Sequence, residues 1–185
     1  QCLKTAGYHV GGFGKFHREG TGNPHPRTVN DLGFDESVIV EDDKRGPYLD
    51  WIREEYPDYY PLALGRLGKC KGRLTEEEEK LRQKVRDNVF LPRRQKTGYN
   101  AAFPSPLPAD IHDTSWITGL GLDFIRRHRA ERPEEPFFCQ ISYVDPHDPY
   151  DPPAPYDAMF SPEEMPDPLP AEWLEQGPQC LAEQK

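Results

Sequence analysis

Lys15 and His17 stand two residues apart in the segment Gly14-Lys15-Phe16-His17, directly after the apolar run Tyr8 to Phe13. In extended backbone the side chains alternate between faces, so a lysine and a histidine at this spacing can address one object while Phe16 turns away. An ammonium and an imidazole aimed at one place suit an oxyanion. Much later in the chain, His147 follows a second apolar run, Pro136 to Val144, inside Asp145-Pro146-His147-Asp148-Pro149. Open α/β sheets collect their ligands beyond the C-terminal ends of their strands, so two such strands side by side would bring Lys15, His17 and His147 to one pocket. Taken singly, each piece also reads as a solvated loop or a turn, and only the combination points to chemistry.

The elements that must position these residues are readable from caps, periods and breakers. Gly7 is placed to end a short helix as its C′ residue, and Tyr8 to Phe13 then runs as a strand whose glycines, Gly11, Gly12 and Gly14, permit close backbone approach. Ser37 to Val40 is a short strand, and Pro47 opens a helix through Glu55 with Tyr48, Trp51 and Ile52 on one face. The Gly-rich stretch holding Arg66, Lys69, Lys71 and Arg73 reads as a basic loop, either solvated or guiding an anion. Thr75-Glu76-Glu77-Glu78 is a capping box, followed by an apolar stripe of Leu81, Val85 and Val89, with Glu76/Lys80 and Glu78/Arg82 as i,i+4 pairs and Pro92 as a stop.

Phe103 to Pro108 reads as an extended linker, because alternating prolines remove amide donors and exclude the α region before each ring. Asp113 or Thr114 caps a helix reaching about Arg129, whose stripe of Ile117, Leu120, Gly121, Phe124 and Ile125 is suited to a sheet. His112, just before that cap, either projects into the site or makes a local hydrogen bond. Helix, short loop and apolar strand make half of a parallel α/β unit.

Three of these motifs together resemble the sulfatases of the alkaline-phosphatase-like superfamily. Leu3 to His17 is similar to the segment ending in Gly-Lys-Trp-His, with Phe16 in place of the usual Trp. Leu32-Gly33-Phe34-Asp35 looks like the Gly-Phe-Asp turn that follows it, and Pro136 to Pro149 resembles the strand leading into Pro-His-x-Pro. The resemblance implies an α/β/α sandwich around a mostly parallel sheet, incomplete here, with residues 1–185 as part of the N-terminal catalytic domain. It implies a sulfuric ester hydrolase in which Lys15 binds a sulfate oxygen, His17 contacts the nucleophile and His147 bonds the sulfate and the bridging oxygen. It also makes Tyr150 and Tyr156, in the irregular stretch after Pro-His-x-Pro, candidate contacts for the sugar or aryl group, and His112, from its place before the helix cap, is the other candidate substrate contact.

The nucleophile itself is not in this sequence. A sulfatase needs Cys-x-Pro-Ser-Arg or Ser-x-Pro-x-Arg, whose first residue becomes formylglycine, and none of Cys2, Cys70, Cys139 or Cys180 begins that pattern. The family's divalent metal, usually calcium, and its ligand pairs are likewise expected outside this chain, so the chain alone is expected to be inactive. The competing expectations are a phosphonate or phosphate ester hydrolase of the same superfamily and a noncatalytic module that recognises sulfated glycans.

Composition bounds the partners. The chain carries 23 basic and 32 acidic residues, a formal charge of -9, which argues against nucleic acid because phosphate neutralisation needs a basic face. A local cationic cluster can still set the field in a cleft and attract a small-molecule or glycan sulfate ester. No stretch is apolar for long enough to read as a membrane span. With 35% apolar and 30% charged residues the core is thin, and further strands are expected to complete it. The four cysteines form neither a zinc spacing nor a disulfide framework.

Overall fold

The computed structural model describes residues 2–16, 33–41, 44, 46–67, 74–92, 102–147 and 149–167. Its centre is a sheet of three parallel strands in the order β2-β1-β3, where β1 is His9–Gly14, β2 is Glu36–Ile39 and β3 is Phe137–Ser142. The class is α/β. Strand β1 pairs with β3 from His9↔Phe137 to Gly14↔Ser142, and with β2 from Gly11↔Glu36 to Gly14↔Ile39. The short helix α1, Cys2–Thr5, ends as its sequence implies: Gly7 has φ 84, and Tyr8 N–H returns to the Leu3 carbonyl at 3.0 Å.

The glycines of β1 are explained by what lies on each face. On one face a Cβ at Gly11 would meet the Phe124 ring at 2.9 Å, and on the other a Cβ at Gly12 would meet the Phe34 ring at 2.5 Å. Phe34 belongs to the Gly33-Phe34-Asp35 turn, which is fixed by Asp35: its carboxylate accepts from Val10 N–H at 2.9 Å and pairs with Lys4 at 2.7 Å. Phe34 also lies 5.0 Å, ring centre to ring centre, from Phe16. The side chain between Lys15 and His17 is thereby engaged with the turn.

Among the described residues there are four longer helices, α2 (Pro47–Glu55), α3 (Tyr60–Arg66), α4 (Glu76–Val85) and α5 (Asp113–Glu131), of which α5 packs on the sheet while α3 packs against α2 and α4. Helix α5 covers the face of Gly11 and Phe13 through the stripe anticipated from its sequence, with Ile117 and Phe124 wholly buried and Gly121 close under Ile141. Each such buried aromatic or aliphatic side chain contributes about 2 kcal/mol by area removed from water. A second core unites α2 and α3 with Val40, Leu107, Ile111 and Val144, and Trp51 packs against it as a partly buried core residue.

Several sequence expectations are corrected here. Phe103 and Leu107 are buried, Phe103 N–H donates to the Tyr150 carbonyl at 3.0 Å and Ser105 N–H to Pro152 at 3.0 Å. The proline-rich segment is therefore docked alongside residues 150–152, not a free linker. The capping box on α4 is present, as is Glu76–Lys80 at 2.7 Å. Glu78, however, turns to Arg53 at 2.8 Å and Tyr60 at 2.7 Å, while Arg82 pairs with Glu79. Neighbouring helices compete for a carboxylate that helix phase alone assigns to Arg82. Lys69, Lys71 and Arg73 lie outside the described residues, but Arg66 does not sit in a loop: it is the last residue of α3 and is buried.

Candidate functional site

The parallel pairing of β1 and β3 sends Lys15 and the turn carrying His147 off the same edge of the sheet, from adjacent strands. Gly14 makes this junction possible. Its φ is 105, and a Cβ there would land on the Ser142 carbonyl oxygen, so only glycine lets the strands stay this close. Lys15 N–H then donates to that same oxygen at 2.8 Å. His147 lies beyond the strand end, its N–H donating to the Val144 carbonyl at 3.1 Å, and it is exposed to solvent. His17 lies outside the described residues. Tyr150 exposes its ring while its backbone forms a parallel bridge to Ala102.

Beneath this edge is a buried ionic network that the sequence did not announce. Arg66 reaches Asp151 through Nε at 2.5 Å and Nη2 at 3.0 Å, Asp113 through Nη1 at 2.9 Å, and His112 Nε2 at 2.8 Å. Lys44 joins from another direction, its ammonium 3.1 Å from the same Asp113 oxygen and 3.8 Å from Asp145. Thr114 donates its hydroxyl to the other Asp145 oxygen at 3.1 Å. The Lys44 backbone sits in the left-handed region at φ 52, a conformation that costs a non-glycine residue about 1–2 kcal/mol.

Asp113 is the first residue of α5, where the helix dipole favours a negative charge. Burial works to raise its carboxyl, but Arg66 and then Lys44 hold it well below the usual carboxylate range. Burial lowers His112, and the Arg66 guanidinium lowers it further, so the ring is neutral. Because a guanidinium only donates, His112 Nε2 is the acceptor and the ring proton resides on Nδ1, 3.4 Å from Asp113. The N-cap position, expected at Asp113 or Thr114, is instead His112, whose backbone is extended there; with its proton on Nδ1 the ring faces Thr114 N at 3.4 Å without accepting from it. His112 is thus 2% exposed and committed to the network below the site.

His112, Asp113 and Asp145 each offer one ligand atom, all within 4.8 Å of one another, and form a candidate metal group. Their donors are of the oxygen-rich kind that suits a divalent cation. Asp113 Oδ2 and Asp145 Oδ1 are buried without a hydrogen-bond partner among the described residues. The charge these oxygens would seek is already supplied next to them by Lys44 and Arg66.

No family model matches the chain. Over 64 residues it is 41% identical to an arylsulfatase of Clostridium perfringens, a match covering 35% of this chain and 13% of that protein. Over 88 residues it is 33% identical to the multifunctional alkaline phosphatase superfamily protein PehA of Trinickia caryophylli, covering 47% of this chain and 16% of that protein. The chain therefore spans a small part of the length of these relatives. Together they support a sulfatase, alkaline-phosphatase-like family for the part of the chain that they match. Among the described residues no helix is long and apolar enough to cross a membrane.

Proposed function

We propose that this chain is part of a hydrolase of sulfate monoesters, in which Lys15, His17 and His147 meet the sulfate. The observation that carries this reading is the adjacency of β1 and β3 in parallel register, since it sends the Lys15 and His147 segments off one edge. The likeness to an arylsulfatase supports it further. The nucleophile, a formylglycine, is supplied by residues outside this chain. Lys15 holds charge that grows on a sulfate oxygen, His17 contacts the nucleophile, and His147 bonds the bridging oxygen and assists protonation of the leaving group. Donors of this kind, once preorganised and shielded from water by the rest of the complete protein, contribute about 3 kcal/mol each to lowering the barrier. Tyr150, with its exposed ring, is the candidate contact for the rest of the ester.

A divalent metal, usually calcium in the family that the sequence resembles, would supply charge stabilisation near the nucleophile when bound. The trio of His112, Asp113 and Asp145 does not fit that ion while Lys44 stands beside it, because two cations already face its carboxylates. We assign the metal to residues outside this chain.

A second reading has its own support. It is a phosphate or phosphonate ester hydrolase of the same superfamily, for which the same cationic residues serve, and the relative named as a multifunctional alkaline phosphatase superfamily protein is consistent with it. The deciding experiment compares chromogenic aryl sulfate, aryl phosphate and aryl phosphonate as substrates of the complete protein. Preference for the sulfate, lost on replacing Lys15 or His147 with Ala, is the expected result. Preference for phosphorus esters would select the second reading, and no turnover of any of them would leave a binding module.

A further inference from the structure

Resting on the reading of His147 as a group that meets the ester, we propose that Arg66 and Lys44 are positioning residues that hold the His147 turn in place through Asp151 and Asp145. Both carboxylates bracket His147 in sequence, and both are drawn to cations beneath the sheet edge. Asp151 is 2% exposed and takes a two-point grip from the Arg66 guanidinium. Asp145 faces the Lys44 ammonium at 3.8 Å and accepts from the Thr114 hydroxyl at 3.1 Å.

The two cations are not independent, because both meet one oxygen of Asp113 at the start of α5. Helix α5 in turn lies on β1 and β3, the strands that carry Lys15 and the His147 turn. One buried carboxylate therefore references the turn to the same frame that sets Lys15. Ionic contacts suit this task better than apolar ones: a planar guanidinium fixes the direction of the carboxylate it grips, whereas apolar contacts fix little direction. Buried ion pairs add little net stability, and their best use is to specify geometry. The left-handed backbone of Lys44 at φ 52 agrees with a residue placed for where its ammonium reaches.

The test is a double-mutant cycle in the complete protein, using whichever aryl ester it hydrolyses, in one version with a good leaving group and one with a poor one. Arg66→Lys keeps the charge but loses the two-point grip on Asp151. Asp145→Asn removes the charge facing Lys44 while keeping an oxygen for Thr114. Each is expected to lower kcat about tenfold for the poor leaving group, with less effect for the good one and on KM, and to change kcat less than about twofold when His147 is already Ala. Circular dichroism establishes which variants fold, and if Arg66→Lys does not, Asp145→Asn decides. A folded variant whose loss is the same with and without His147 overturns the proposal, since a purely structural role predicts that equality. If His147→Ala alone costs nothing, it is the underlying reading of His147 that fails.

Discussion

Lys15 donates its backbone N–H to the carbonyl oxygen of Ser142 at 2.8 Å, extending the β1–β3 ladder one residue past the strand end. The candidate anion-binding lysine is thus hydrogen-bonded to the strand that leads to His147. Its position depends on Gly14, immediately before it.

Gly14→Ala should therefore be far costlier than an ordinary glycine replacement. The new Cβ meets the Ser142 carbonyl, and the φ of 105 is disfavoured for any L side chain. We expect a loss of about 2 kcal/mol or more, measured by urea unfolding, from strain and a broken ladder together. A loss below about 0.5 kcal/mol, within the range of neutral surface changes, would mean that the strands do not approach as closely as described.

Much of this arrangement was legible before the structure. The run Tyr8 to Phe13, the Thr75 capping box and the α5 stripe carry local signals, because period and cap chemistry act within a few residues. The Arg66 network carries none of that kind: its partners Asp113 and Asp151 lie 47 and 85 residues away. The one available sign was an arginine set among Leu62, Leu64 and Leu67, where a solvated loop would not place so many leucines. The neighbouring glycines and lysines suggested a loop instead. His112 was open to two readings for the same reason, since its main partner comes from another helix.

If the complete protein hydrolyses sulfate esters as proposed, Lys15→Ala should lower kcat by about a hundredfold or more with a smaller change in KM, the scale of losing one preorganised charge-stabilising donor. His147→Ala should behave similarly, and more severely for esters with poor leaving groups. His25→Ala is the control, because His25 lies in a proline-flanked stretch with no motif around it. Equal and mild effects of Lys15→Ala and His25→Ala in correctly folded protein would remove Lys15 from the site.

Glu78 gives a pH dependence with a definite sign. The Thr75 backbone N–H, then the Tyr60 hydroxyl and the Arg53 charge, hold its carboxyl below the ordinary glutamate value. Between the folded value and about 4.3, the unfolded chain binds more protons, so this contribution to stability is complete above about pH 4.3 and is lost as pH falls through the folded value. Thermal unfolding of the complete protein between about pH 6 and pH 3, set beside Glu78→Gln, should show the two melting temperatures converging as pH falls. A constant gap over that range would show that the cap contributes no pH-dependent stability.

The location of the metal can be decided without any activity measurement. If Lys44 supplies the positive charge at His112, Asp113 and Asp145, then Asp145→Asn weakens only an ion pair and leaves the metal of the complete protein untouched. Elemental analysis of purified protein should then find the same metal content per chain in the parent and in Asp145→Asn. A resident divalent ion at the trio would instead lose one of its few charged ligands, and metal affinity falls steeply when ligand charge is removed. Loss of metal from folded Asp145→Asn would place the ion at the trio, displace Lys44 from its assigned part there, and require the charge count beneath the sheet edge to be redrawn.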